Sequence, residues 1–501
     1  MNKQNSKSVT HIESFGIEEI PAYARTATPF DLFRLSFGGA NTFSTCVLGS
    51  FPIMLGLSFH AGLFAILCGV VLGACILAPM GIFGARTGTN NAVASAAHFG
   101  VHGRIVGSFL SLLTAIAFFS LSVWSSGDAL IGATQRLLDR SSQSNWLYAL
   151  VYSGFALLVL VICIYGFRFM LLVNRIAVIA SSLLFFLGIF AFSQQFDSAY
   201  AGKIQLGQAG FWAAFIGASL IAFSNPISFG TFLGGWSRYI SQETPSHKIM
   251  VAVFASQLAT LIPFLFGLMT ATLVATHAPM FMQQNNYIGG LIQIAPAWYF
   301  IPLCLIALIG GLSTGTTALY GTGLDMSSIF PKTLSRVKAT ICVGLLSILF
   351  IFIGRFAANL TQSVMTFATL IVVCTSPWII IMIIGFISRR GYYKNDDLHV
   401  FATGIKGGAY WFHHGWNWRG IIAWIPSALI GLCFVHLPDQ FIGIWGNLFN
   451  GLDLSLPISI VLAALLYTLL LKLFPEPSSV YGTTFATESS KRQCHSSFIS
   501  N

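Results

Sequence analysis

Apolar residues run along this chain in blocks of about 20, the length an α-helix needs to cross the hydrocarbon core of a bilayer. Twelve blocks stand out, numbered here as spans 1 to 12: 30–55, 61–83, 105–133, 147–166, 171–192, 210–235, 249–275, 298–325, 337–356, 364–387, 420–437 and 456–474. Two of them carry polar interruptions at mid-depth. Span 1 contains Ser36-Phe-Gly-Gly-Ala-Asn-Thr-Phe-Ser-Thr45, and span 6 contains Ser224-Asn-Pro-Ile-Ser-Phe-Gly230. Glycine weakens a helix, and polar groups at bilayer depth cost free energy unless they are partnered. Irregular backbone is tolerated there only where it is buried in protein or lines a cavity. The pattern therefore predicts two discontinuous helices whose breaks line a site.

Composition agrees with the pattern. The chain has 501 residues, of which 55% are hydrophobic and 8% charged, against about 25% charged in soluble domains. Mean hydropathy is +0.78. This describes an all-α multi-pass membrane protein. The net charge of +10 does not point to nucleic acid, because lysine and arginine are spread over short loops. An even number of spans puts both termini on one side, and that side carries 21 of the 25 basic residues. The opposite side has Arg136, Arg140, Lys203 and Arg355. Positive charge accumulates on the cytoplasmic side, so both termini are expected in the cytoplasm and the protein in the cell membrane.

The expected organisation is a cytoplasmic segment over 1–29 and a ten-span core over 30–387, followed by a cytoplasmic loop over 388–419. Spans 11 and 12 occupy 420–474, and a Ser/Thr-rich tail over 475–501 is expected to be disordered. Trp411, Trp416 and Trp418 suggest that the 388–419 loop lies at the membrane interface. The nine cysteines show no C-x-x-C or His/Cys metal spacing and read as small core residues. His413 and His414 are adjacent and cannot converge on one ion from a regular element. Gly69 and Gly73, four apart in span 2, predict close helix packing. No cofactor and no obligate protein partner is implied.

Candidate chemistry gathers near the centres of four spans. Span 1 offers Gly39, Asn41, Thr42, Ser44 and Thr45, and span 3 offers Phe118, Phe119 and Ser120. Span 6 offers Ser224, Asn225, Ser228 and Phe229, and span 8 offers Gly310 with Ser313, Thr314, Thr316 and Thr317. Spans 1 and 6 hold matching places in two five-span halves, 30–192 and 210–387, as in inverted repeats with a midplane site. Hydroxyls and freed carbonyls suit a small alkali cation, while aromatic faces and amides suit a flat, hydrogen-bonding ring. The alternative for each hydroxyl is a bond back to its own helix. No Asp, Glu, Lys or Arg lies near the middle of a span, which favours sodium over a proton as coupling ion and leaves no catalytic pair for an enzyme.

Several stretches resemble the purine–cytosine permeases of the nucleobase–cation symporter family. They are Ile12-Glu-Ser-Phe-Gly-Ile-Glu-Glu-Ile-Pro-Ala-Tyr-Ala-Arg-Thr26, Gly38-Gly-Ala-Asn-Thr-Phe-Ser-Thr45 and Phe83-Gly-Ala-Arg-Thr-Gly88 with His98-Phe-Gly-Val-His-Gly103. Ala318-Leu-Tyr-Gly-Thr-Gly-Leu324, Arg389-Arg-Gly-Tyr-Tyr393 and Trp416-Asn-Trp-Arg-Gly420 add to the likeness, which runs from about residue 12 to 425. The resemblance implies a LeuT-type fold and a sodium site between spans 1 and 8, formed by backbone oxygens near Gly39, Thr42 and Gly310 and the hydroxyls of Ser313 and Thr314.

It also implies a pocket in which a ring stacks on an aromatic of span 3, here Phe118, and one of span 6, here Phe229, with Asn225 nearby. Asn41, Ser44, Phe119, Thr316 and Thr317 complete the expected substrate-binding set. The sequence departs from the family where a glutamine becomes Ala115, where asparagines become Gly315, Thr316 and Thr317, and where acids become Gly235 and Gly385. The expected function is import of a nucleobase or related heterocycle with sodium by alternating access. Thiamine, a hydroxymethylpyrimidine, allantoin or a hydantoin as substrate, proton coupling, and a non-transporting sensor are the alternatives.

Overall fold

A computed structural model of the chain describes residues 18–138, 145–165, 167–330, 333–357, 360–403, 406–437 and 441–482. The leader before Glu18, Arg140, Lys332 and the tail beyond Gly482 lie outside the described residues. Ten described helices are long and apolar enough to cross a membrane, and they correspond to spans 2 to 10 and span 12. Span 11 is a 16-residue apolar helix, Trp418–Cys433.

Span 1 is split, as its sequence predicts. Its first half, Pro29–Ala40, starts where Thr28 and Asp31 form a reciprocal capping box with Pro29 at the first helical position. The second half, Phe43–Met54, is capped by Thr42, whose extended backbone lets its side chain accept from the Thr45 amide. Span 6 runs as Phe211–Ser228, turns through 229–232 and resumes as Leu233–Ser237. Pro226 removes one helical N–H just before that turn.

Close backbone contacts set these breaks in place. A Cβ on Gly69 would overlap the Ser219 carbonyl, and one on Gly73 would lie 3.0 Å from Pro226. The small residues of span 2 thus seat it against span 6, as expected. Span 3, Ile105–Leu138, lies along span 8, Phe300–Ile329. Ser126 donates to the Ala307 carbonyl at 2.7 Å and Thr322 to the Ser111 carbonyl at 3.0 Å, tying the two together.

Both described ends of the chain meet on one face of the bundle. Ile20 N–H donates to Gly88 O at 3.0 Å, Ala27 bridges to Ile240, and Asn395 donates to Glu19 at 3.4 Å. Near the other end, Arg389 donates to both carboxylate oxygens of Glu476, at 2.9 and 2.7 Å, and both side chains are 1% exposed. Asn417 and the Ala97 carbonyl complete this cluster. The described part of the 388–419 segment packs on the bundle, with Leu398 and Tyr410 buried beside Val93, Ala97 and Val480. The structure corrects the sequence reading in the tail. The tail is ordered through Gly482, with Val480 fully buried, because Glu476 neutralises a guanidinium that has no access to water.

Candidate substrate and cation site

Interrupting span 1 frees carbonyls that an unbroken helix would have used. Three of them are taken by hydroxyls: Ser313 donates to Gly38 O at 2.7 Å, Thr314 to Gly39 O at 2.8 Å and Thr45 to Ala40 O at 2.5 Å. Ser313 and Thr314 therefore reach across to span 1. Their neighbours do not: Thr316 donates to Leu312 O and Ser313 O, and Thr317 to Ser313 O and Thr314 O, all within span 8. A Cβ on Gly310 would sit 2.9 Å from Thr42 Cα, so the backbone of span 8 lies directly against the break.

Gly39, Thr42, Gly310, Ser313 and Thr314 are thus brought together as a set of neutral oxygens, with both hydroxyls buried. Such a set suits a hard monovalent cation and lacks the thiolate or imidazole a transition metal prefers. Among the described residues no group of three or more His, Cys, Asp or Glu could hold a metal ion.

A second cluster adjoins the first. A Cβ on Gly39 would meet Thr317 Oγ1 at 3.1 Å and the Phe229 ring at 3.3 Å, so these three residues share one spot. Asn41 donates to Ser182 of span 5 at 2.9 Å, and among the described residues its buried Oδ1 has no partner. Asn225 is buried at the last turn before the span 6 break, and its Nδ2 likewise has no partner among the described residues. Ser44 bonds Ser125 of span 3 at 2.9 Å. Phe118 is half-buried and packs against both large apolar clusters, the one holding Phe229 and the one holding Phe43.

Two expected residues lie elsewhere. Phe119 is fully buried in a third cluster with Val159 and Leu160 of span 4. The Thr316 carbonyl accepts from Cys163, also of span 4. Consecutive helical residues point about 100° apart, so Phe118 and Phe119, or Thr316 and Thr317, cannot share a face. The sequence reading missed Ser125, Asn174, Ser182 and Trp236. Trp236 lies edge-on to Phe229 with ring centroids 5.6 Å apart, and among the described residues its indole N–H has no partner. An asparagine within a largely apolar span 5 is a signal that could have revealed Asn174.

Residues 19–458 match the family model described as permease for cytosine/purines, uracil, thiamine, allantoin. The chain belongs to this family. The permease is 25% identical over 476 residues to the putative purine-cytosine permease YxlA of Bacillus subtilis, covering 92% of this chain and 96% of that one. It is 22% identical to the vitamin B6 transporter TPN1 of Saccharomyces cerevisiae, over 69% of this chain and 60% of that one. Among solved structures it resembles Mhp1, a nucleobase-cation-symport-1 family transporter, closed with bromovinylhydantoin bound. That match has a TM-score of 0.71 and 19% identity, and covers 93% of this chain and 97% of that one. The inward-facing Mhp1 matches at 0.68 with 17% identity, over 94% and 97%. The permease is a nucleobase–cation symporter family member with a LeuT-type fold, a membrane transporter and not an enzyme.

Proposed function

We propose that this permease imports a nucleobase of the cytosine or purine type, or a closely related heterocycle, together with sodium. The observation that carries this reading is the pair of hydroxyls, Ser313 and Thr314, turned away from their own helix onto carbonyls at the span 1 break. Sodium would take those hydroxyls together with backbone oxygens of Gly39, Thr42 and Gly310. The ring would lie between Phe118 and Phe229, near Thr317. The buried Asn41 Oδ1 and Asn225 Nδ2 offer one acceptor and one donor, which suits the mixed edge of a nucleobase.

The two clusters share Gly39, so sodium would order the wall against which the ring packs, and each ligand would favour the other's binding. Alternating access would follow from rocking of the two five-span halves about this site. The reading places twelve spans in the membrane, counting the two halves of span 1 as one and adding span 11. Both ends of the chain then lie in the cytoplasm of a cell-membrane protein, in keeping with the excess of lysine and arginine on that side.

A less polar ring is the second reading. It is favoured by the sequence of span 8, which has no asparagine or glutamine between Phe300 and Ile329. The hydantoin of the solved relative and the vitamin B6 of the yeast relative give its chemical range. The test is uptake into proteoliposomes of labelled cytosine, adenine, hypoxanthine, uracil, allantoin, thiamine, a hydantoin and pyridoxine, each under a sodium gradient, a proton gradient or neither. Accumulation of a nucleobase only with sodium is expected. Accumulation driven by protons alone would overturn the ion, and accumulation of pyridoxine or the hydantoin alone would replace the substrate.

A further inference from the structure

Span 5, Phe167–Ser193, touches both clusters through side chains that neither the motifs nor the family likeness single out. It is an amphipathic helix seen from inside the bundle. Ile176, Ile179, Leu183, Phe186 and Phe190 are exposed, while Asn174, Ala177, Ser181, Phe185 and Phe192 form the buried stripe. Asn174 is an unfavourable choice for that stripe, because asparagine is a modest helix former and its amide must be satisfied away from water.

Asn174 spends its donor on the site. Its Nδ2 donates to Ser313 Oγ at 3.0 Å, and Ser313 in turn donates to Gly38 O at 2.7 Å. A serine oxygen has one hydrogen and two lone pairs. With the hydrogen held by Gly38 and one lone pair held by Asn174, a single lone pair is left, and its direction is fixed. Gly38 makes this possible, since a Cβ there would overlap Asn174 Oδ1. Two turns further along, Ser182 does the corresponding work for Asn41. It accepts from Asn41 Nδ2 at 2.9 Å, which fixes that amide with its oxygen unpaired. Asn174 and Ser182 are eight positions apart, about 12 Å along the helix.

We infer that span 5 is the positioning element of the transport site, with Asn174 orienting the Ser313 hydroxyl for the cation and Ser182 orienting the Asn41 amide for the substrate. This rests on the cation and substrate reading above and assigns it two further residues. Neither residue is itself a ligand. Each acts through the group it holds.

The test uses the full-length permease in detergent and in proteoliposomes. Sodium affinity is read twice: by the sodium-dependent rise in melting temperature without substrate, and by the half-saturating sodium for uptake. Asn174→Ala and Gly38→Ala are expected to raise half-saturating sodium by roughly tenfold in both readouts, the equivalent of one lost oriented hydrogen bond. Substrate affinity at saturating sodium is expected to stay within about twofold. Asn174→Asp, which accepts from Ser313 and can lose a proton, is expected to make the sodium response depend on pH, as a purely structural role would not. Ser182→Ala is expected to leave sodium unchanged and to weaken discrimination among heterocycles.

Sodium curves of Asn174→Ala and Gly38→Ala that superimpose on wild type would overturn the Asn174 assignment while leaving the site reading intact. Unchanged discrimination in Ser182→Ala would overturn the assignment of Ser182. A wild-type permease whose melting temperature and uptake ignore sodium would overturn both the inference and the reading beneath it.

Discussion

The two helix breaks solve the same problem in opposite ways. At the span 1 break the freed backbone is satisfied from within, each of three carbonyls taken by a named hydroxyl. At the span 6 break more polar side chains are left over than the single Asn41 Oδ1 at the first. Asn225 Nδ2, Thr231 Oγ1 and the Trp236 indole N–H are buried without partners among the described residues. Buried polar groups are seldom left unmade, because each costs about 1–3 kcal/mol. On the reading proposed above, the first break would give its oxygens to a cation, the hydroxyls turning from the carbonyls towards it. The second, beside the rings of Phe229, Phe232 and Trp236, would take a ligand that brings its own donors and acceptors.

The substitution that removes this contrast altogether is at the residue both breaks share. Gly39→Leu would push a side chain into Thr317 and Phe229, and uptake of every substrate is expected to fall by about 100-fold, the order seen when a positioned site is displaced by about 1 Å. Equal surface expression with lost uptake in the same vesicles is the check. Next in size are changes confined to the open break. Asn225→Ala is expected to weaken substrate binding at least tenfold and to blur selectivity, since a site built to hydrogen-bond its ligand discriminates by those bonds. Phe118→Ala should cost roughly tenfold through lost ring contact, with sodium dependence unchanged in competition assays.

Changes confined to the closed break should do the reverse. Ser313→Ala or Thr314→Ala is expected to raise half-saturating sodium by about tenfold, or ~1.4 kcal/mol, with ring selectivity preserved. Thr316→Val, one residue away on the same helix, is expected to change neither property by more than about twofold, because its hydroxyl serves only its own helix. Equal effects of Thr314→Ala and Thr316→Val on sodium would erase the distinction between the two faces of span 8.

The smallest expected effect concerns pH. No Asp, Glu, His, Lys or Arg lies between Ser36 and Cys46 or between Ser224 and Ser237, so neither break titrates through such a group. The histidines that matter lie outside the spans. Burial pushes His399 down to about 4, Glu18 opposing and Arg104 adding to the shift. Burial also holds His98 well below its ordinary value, with Arg389 adding to it. Both are neutral when folded, whereas the unfolded chain takes up protons below about pH 6.5. Stability is thus full above that pH and falls as the pH drops towards 4. Melting temperature in detergent should decline over that window, and His399→Gln should lessen the decline. Sodium-saturated uptake should stay flat from about pH 6.5 to 8.

Much of this was legible in the sequence because it is written locally. Gly38-Gly39 with Asn41 and Thr42 announces a broken helix, and Gly310 with Ser313 and Thr314 announces its partner, since each departs from the apolar run around it. Faces were less legible than places. Phe119 and Thr316 face away from their chain neighbours Phe118 and Thr317, a difference that the 3.6-residue period explains once the neighbouring helix is known. Asn174 and Ser182 escaped because a few polar residues in a long apolar span look like noise until their partners in other spans are seen. Glu476 escaped for a related reason. Nothing in a Ser/Thr-rich tail marks one acid as the counter-charge of an arginine 87 positions earlier.

That last pair has a practical side for anyone handling the protein. The segment after span 12 packs onto that face through Glu476 and Val480, so a fluorescent fusion or affinity handle belongs beyond Gly482. A chain cut before Glu476 would strand Arg389 in a dry pocket, at a cost of about 3–5 kcal/mol, and is expected to show up first as poor yield in detergent.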